Sequence, residues 1–134
     1  MQHNAVIDQG DEVLVFDPAY ESYETCIELA RGVPVYVPLD PPLWTLNEEK
    51  FLKSFTSRTK AVVLNSPHNP TGKVFSKEEL LIIAQACQKM DCFAITDEVY
   101  RTLLTMRTSI SHWLVFQGCK RGSSQHPHCL KLTV

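Results

Sequence analysis

Val13-Leu14-Val15-Phe16 is an unbroken apolar run that follows a turn at Gln9-Gly10 and the acidic pair Asp11-Glu12. A strand with that pattern is buried on both faces, as strands of parallel sheets are. Two further apolar runs, Ala61-Val62-Val63-Leu64 and Cys92-Phe93-Ala94-Ile95-Thr96, lie later in the chain, and residues 33–37 read as another strand. Helical signals separate them. From Tyr20 the apolar residues Tyr23, Cys26, Ile27 and Ala30 recur on one helix face, and Gly32 with Pro34 is a stop signal. Asp40-Pro41-Pro42 makes a turn, after which Thr45 and Glu48 have capping-box spacing and Phe51, Leu52 and Phe55 form a stripe. Residues 76–90 read as the clearest helix, with Ser76 as cap, Glu79 reaching back, and Leu80, Ile83, Ala84 and Cys87 on one face. Strand and helix alternate, so the fold class is α/β, a parallel sheet with right-handed helical crossovers.

The chain of 134 residues suffices for one domain. Thirteen Lys and Arg against fifteen Asp and Glu give a net charge of −2 without long runs of one sign, which points away from nucleic-acid and membrane partners and toward a small substrate. No apolar stretch approaches the roughly 20 residues of a membrane span, and Met1-Gln2-His3-Asn4 does not open a signal peptide. The expected location is cytoplasmic, with an organelle matrix or stroma also open. Five cysteines, Cys26, Cys87, Cys92, Cys119 and Cys129, are odd in number and fit reduced, buried thiols better than a disulfide framework.

Two polar motifs stand where apolar strands give way to loops: Asn69-Pro70-Thr71-Gly72 and Asp97-Glu98-Val99-Tyr100. That edge of an open α/β sheet holds ligands. Asp97 can supply a carboxylate that keeps a pyridine nitrogen protonated, while the Asn69 amide and Tyr100 hydroxyl suit a phenolic ring oxygen. Tyr20 offers an aromatic face for stacking. Together these groups suit pyridoxal phosphate, whose electron sink depends on the protonated ring nitrogen. Taken singly each has a plainer reading: an aromatic packed at a helix start, a Pro-Gly turn, a helix-capping Asp.

The combination resembles the fold-type I, class I/II aminotransferases over about residues 7–100. Asp17-Pro18-Ala19-Tyr20-Glu21-Ser22-Tyr23 and Asn65-Ser66-Pro67-His68-Asn69-Pro70-Thr71-Gly72-Lys73 are most similar to the kynurenine and glutamine transaminase branch. The resemblance implies a partial large, pyridoxal-phosphate-binding domain in residues 1–100 and transamination between an amino acid and a 2-oxo acid. It implies a homodimer, ring-oxygen contacts from Asn69 and Tyr100, pairing of Asp97 with the ring nitrogen, and stacking by Tyr20. Alternatives are a non-catalytic fragment that docks on an intact subunit, and a β-lyase using the same cofactor.

The family reaction also needs a lysine that binds the cofactor and moves a proton. Lys131 follows Asp97 by 34 positions, yet its context, His128-Cys129-Leu130-Lys131-Leu132-Thr133, lacks the small residues of the family motif. Lys120 and Lys73 are weaker candidates, and no catalytic lysine is assigned. The expected chain lacks the family's phosphate and substrate-carboxylate anchors and is inactive alone. Residues 101–134 read as a divergent, poorly ordered tail, the mark of a shifted or mis-spliced reading frame. In that tail Cys119, His126, His128 and Cys129 are metal-ligand types, but no Cys-x-x-Cys pair frames them and no metal site is expected. His68, next to Asn69, could approach the substrate, but the plainer reading is a solvated loop residue.

Overall fold

The computed structural model describes residues 7–97 and 129–132, and the side chains of residues 7–95. Strands β1 (Glu12–Asp17), β2 (Val33–Pro38), β3 (Thr59–Asn65) and β4 (Phe93–Asp97) alternate with helices α1 (Glu21–Leu29), α2 (Glu48–Lys53) and α3 (Lys77–Lys89). A fifth strand, β5 (Cys129–Leu132), was not announced by the sequence. All pairings are parallel, in the order β2-β1-β3-β4-β5, so the expected α/β architecture with helical crossovers is the one observed.

Alternation along the strands sorts the core into two layers. Leu14, Phe16, Val62, Leu64, Cys92 and Ala94 share one cluster with Phe51 of α2 and with Leu80, Ile83, Ala86 and Cys87 of α3. Val13, Val15, Ala61 and Val63 share the other with Ile27 of α1. Thus α1 covers one face of the sheet, and α2 and α3 cover the opposite face.

Helix ends explain why the elements stop where they do. Ser76 and Glu79 form the expected reciprocal capping box at the start of α3. Both α1 and α3 end in Schellman motifs: Arg31 and Asp91 take the left-handed conformation at φ 63° and 55°. The next residue then donates back to the helix, Gly32 to Ile27 and Cys92 to Cys87, each at 2.9 Å. Gly32 is therefore not the left-handed residue of the α1 stop. Its smallness matters instead because a Cβ there would lie 2.8 Å from Ile7 Cδ1 and 3.2 Å from the Asp11 carbonyl.

Several expectations need correction. Of the apolar face read for α1, Ile27 is buried, while Tyr23 is half-buried and Cys26 and Ala30 are exposed. The cap of α2 is Asn47, whose side chain accepts from the Lys50 N–H, because Thr45 is held in a two-way backbone bridge to Asp40. In the α2 stripe Phe51 is fully buried, but Leu52 is exposed. Cys87 and Cys92 are buried free thiols, and burial pushes Cys92 up to about 11, yet Cys26 lies on the surface.

Candidate functional site

The strand order reverses direction between β1 and β3. From β1 the chain leaves through α1 to β2 on one flank, and from β3 it leaves through α3 to β4 on the other. Such a switch point opens a crevice outside the C-terminal ends of the strands. Tyr20 stands just after β1 and Asn69 just after β3, so the two sequence candidates flank the crevice.

Tyr20 is the N-cap residue of α1, with extended backbone (φ −71°, ψ 125°) and no capping bond from its side chain. It is 45% exposed, and its ring meets Tyr23 edge-to-face at 5.7 Å. An aromatic buried in the core would not leave a face accessible; Tyr20 does.

The Asn69 loop is fixed at many points. The His68 N–H donates to the Lys73 carbonyl at 2.7 Å, and the Gly72 N–H donates to the His68 carbonyl at 2.6 Å. Gly72 takes φ 73°, the conformation for which glycine is suited. The Phe75 N–H donates to Ser66 Oγ at 3.2 Å, which ties the far end of the loop back to the end of β3.

His68 overturns its sequence reading: it is 3% exposed, not solvated. Its Nδ1 lies 2.6 Å from Thr71 Oγ1, and its ring stands edge-on to Phe75 at 6.2 Å. Burial lowers its pKa and the nearby Lys73 ammonium adds to that, against a hydrogen bond to the Phe16 main chain that favours the charged form. The ring is thus an internal strut of the loop.

Lys73 and Glu79 form a buried ion pair at 2.9 Å, with side chains 8% and 12% exposed. Glu79 also accepts from the Leu46 N–H at 3.1 Å and the Ser76 N–H at 2.9 Å. Burial pushes the carboxyl up, but the bonds from Ser76, Lys73 and Leu46 prevail and hold it below its ordinary value. Lys73 is therefore engaged structurally, which removes it from the candidate catalytic lysines.

Asp97 ends β4 in register with Asn65 of β3. Residues in register across a parallel sheet share a face, so Asp97 belongs to the row of Asn65, on the α1 side with Val63 and Ile95. The sequence reading gave Asn65 no role. Its signal was a polar residue closing an apolar strand beside the strand that carries Asp97. Lys131 pairs with Thr96, one row back. Alternation places that row on the opposite face, with Leu64 among the α2 and α3 contacts. Tyr100, Lys120, Cys119, His126 and His128 lie outside the described residues.

These groups fit the ring of pyridoxal phosphate. Asn65 Nδ2 is buried without a partner in the Asp97 row, the Asn69 loop is rigid, and Tyr20 presents a ring at the same sheet edge. They do not fit its phosphate. Each described helix carries two glutamates in its first turn, Glu21 and Glu24, Glu48 and Glu49, Glu78 and Glu79, which opposes an anion at the helix start.

Comparison with known proteins agrees with this arrangement. The chain is 41% identical over 126 residues to kynurenine–oxoglutarate transaminase 3 of Homo sapiens, covering 87% of this chain and 25% of the relative. It is 42% identical over 125 residues to kynurenine–oxoglutarate transaminase 1 of Homo sapiens, covering 85% and 27%. A solved tetra mutant of the aspartate aminotransferase of Thermus thermophilus superposes with a TM-score of 0.80 at 35% identity, over 96% of this chain and 33% of that one. The chain thus spans about a quarter of the length of the curated relatives it matches. The model of the family described as aminotransferase class I and II matches residues 4–118, past the residue-100 limit of the resemblance read from sequence. With strand order, switch-point geometry and sequence in accord, the chain belongs to the class I and II aminotransferases.

Proposed function

We propose that these residues form the ring-recognition part of a pyridoxal phosphate site in an enzyme that transfers an amino group between an amino acid and a 2-oxo acid. The observation that carries this is the convergence of Tyr20, the Asn69 loop and Asp97 at one switch-point edge. When bound, the cofactor supplies an electron sink for the substrate's amino carbon. Asp97 holds a proton at the ring nitrogen, Asn69 and Tyr100 donate to the ring oxygen, and Tyr20 covers one ring face.

Identities of 41% and 42% to the two human kynurenine–oxoglutarate transaminases, against 35% to the aspartate enzyme, favour a kynurenine-type substrate. A homodimer is the assembly we propose for the active enzyme. The 134-residue chain by itself is proposed to be inactive, because its described helix starts repel phosphate and Lys131 stands in the row behind Asp97.

The test is equilibrium dialysis of pyridoxal phosphate against the chain and its Asp97→Asn, Asn69→Ala and Tyr20→Leu variants, with a kynurenine and 2-oxoglutarate turnover assay alongside. Saturable binding that each substitution weakens, without turnover, supports the reading. Binding indifferent to all three substitutions contradicts the site, and turnover by the isolated chain contradicts its inactivity.

A further inference from the structure

The backbone ladder between β1 and β3 is defined as far as Val15 and Val63. One residue on, where the switch-point crevice opens, the Phe16 main chain is bonded by the His68 ring. That bond favours the charged ring, so a ring N–H donates and the Phe16 carbonyl accepts. The other ring nitrogen, Nδ1, lies 2.6 Å from Thr71 Oγ1. Thr71 Oγ1 already accepts from the Lys73 N–H at 3.2 Å, which leaves its hydroxyl hydrogen for Nδ1. The two partners together select one tautomer, with Nε2 protonated and Nδ1 accepting.

Both main-chain groups of His68 are held as well, the N–H by the Lys73 carbonyl and the carbonyl by the Gly72 N–H. The residue before Asn69 is thus buried and tied at every hydrogen-bonding group it has. We infer that His68 is a positioning residue that acts through Asn69: its neutral Nε2–H ring joins the end of β1 to the loop after β3 and sets the orientation of the Asn69 amide in the crevice. Phe16 stands shortly before Tyr20, so one ring couples the two walls that carry Tyr20 and Asn69. The tie itself needs no ligand. Its use, presenting the Asn69 amide to the cofactor's ring oxygen, rests on the function proposed above. A doubly protonated ring could not accept from Thr71 and would face the Lys73 ammonium, so the tie loosens in acid.

The experiment uses the full 134-residue chain as wild type, His68→Leu, His68→Gln and His68→Asn. Nitrogen-15 shifts of the His68 ring give its tautomer, and three-bond couplings give the Asn69 χ1 rotamer, both without cofactor. The expected result at neutral pH is the Nε2–H tautomer and one Asn69 rotamer in wild type. Leu has neither ring nitrogen and should leave Asn69 averaged over rotamers. Gln keeps a donor toward Phe16 and Asn an acceptor toward Thr71, so each should restore part of the order. Equilibrium dialysis of pyridoxal phosphate follows, between about pH 5 and 8. Leu is expected to weaken binding roughly tenfold at neutral pH. Wild-type affinity should fall in acid more steeply than that of Gln, which has no titrating group at position 68. Among the described residues the charged groups around His68 are Lys73 of its loop, Glu79 of α3 paired with Lys73, and Asp17 beside Phe16 at the end of β1. These, like the cofactor's own groups, are common to the four chains, so the difference reports His68.

Backbone amide spectra of β1 and β3 separate these effects from loss of fold, and if Leu unfolds the Gln and Asn chains carry the comparison with wild type. An Nδ1–H tautomer in wild type would overturn the inference. So would one Asn69 rotamer common to every folded chain, or affinities that fall in acid alike in wild type and Gln. An Asn69 rotamer that depends on His68, in a chain that never binds pyridoxal phosphate, would refute the proposed function and leave the His68 tie standing.

Discussion

Among the described residues the two faces of the sheet are built to different depths. On the α2 and α3 side fifteen buried residues form one cluster, in which the Phe16 ring meets Phe51 at 5.8 Å and Phe75 at 5.3 Å in tilted contacts. On the α1 side five buried residues among those described form the other, to which α1 contributes the buried Ile27 and the half-buried Tyr23 packed against it. The polar ties follow the same division. The Lys73–Glu79 pair and the His68 ring connect the Asn69 loop to α3 and to Phe16, all toward the deep side. Asn65, Asp97 and Tyr20 belong to the shallow side. One face supplies rigidity, and the other keeps polar and aromatic groups at its edge where a ligand can reach them.

The largest test of this contrast is a pair of core truncations. Phe51→Ala should cost about 4 kcal/mol and Ile27→Ala about 2 kcal/mol, read by urea unfolding. Equal losses, or a larger one at Ile27, would show that the α1 face is as deeply built as its counterpart.

A smaller effect is expected at the ion pair. Lys73→Met leaves the Glu79 carboxylate buried without its cation and should cost about 3 kcal/mol. The double variant with Glu79→Gln should lose less than the two single losses combined, because neither charge is then left alone. Simple additivity in the double-mutant cycle would mean that the two side chains do not act as a pair.

The smallest expected effect is a pH dependence. The folded state lowers the His68 pKa below 6.5, so the unfolded chain binds the proton more readily. The contribution of neutral His68 is complete above pH 6.5 and declines as pH falls below it. His68→Gln should remove that part of the acid sensitivity. A stability profile between pH 5 and 7 that is unchanged by the substitution would return His68 to the status of a bystander.

Much of this was legible in the chain because the deciding physics was local. Unbroken apolar runs marked strands buried on both faces, and Ser76 with Glu79 marked the start of α3 three residues apart. Where tertiary contacts decide, local patterns misled. Thr45 and Asn47 both carry cap-competent oxygens ahead of Phe51, and the backbone bridge from Asp40 to Thr45 selects Asn47. His68 looks solvated among polar neighbours, but a carbonyl of β1 and the ring of Phe75 enclose it. The candidate site divides similarly: Tyr20, Asn69 and Asp97 were visible as motifs at strand ends. The positions of Asn65 and Lys131 depend on register, which places one beside Asp97 and the other a row behind.

The most direct test of that placement is chemical. Pyridoxal phosphate is added to the purified chain, any lysine adduct is reduced with borohydride, and the labelled peptides are mapped by mass. With the ring site on the α1 face and Lys131 in the row of Thr96, binding sensitive to Asp97→Asn is expected without stoichiometric label on Lys131. Stoichiometric label on Lys131 would contradict the account, placing that lysine at the same site as Asp97.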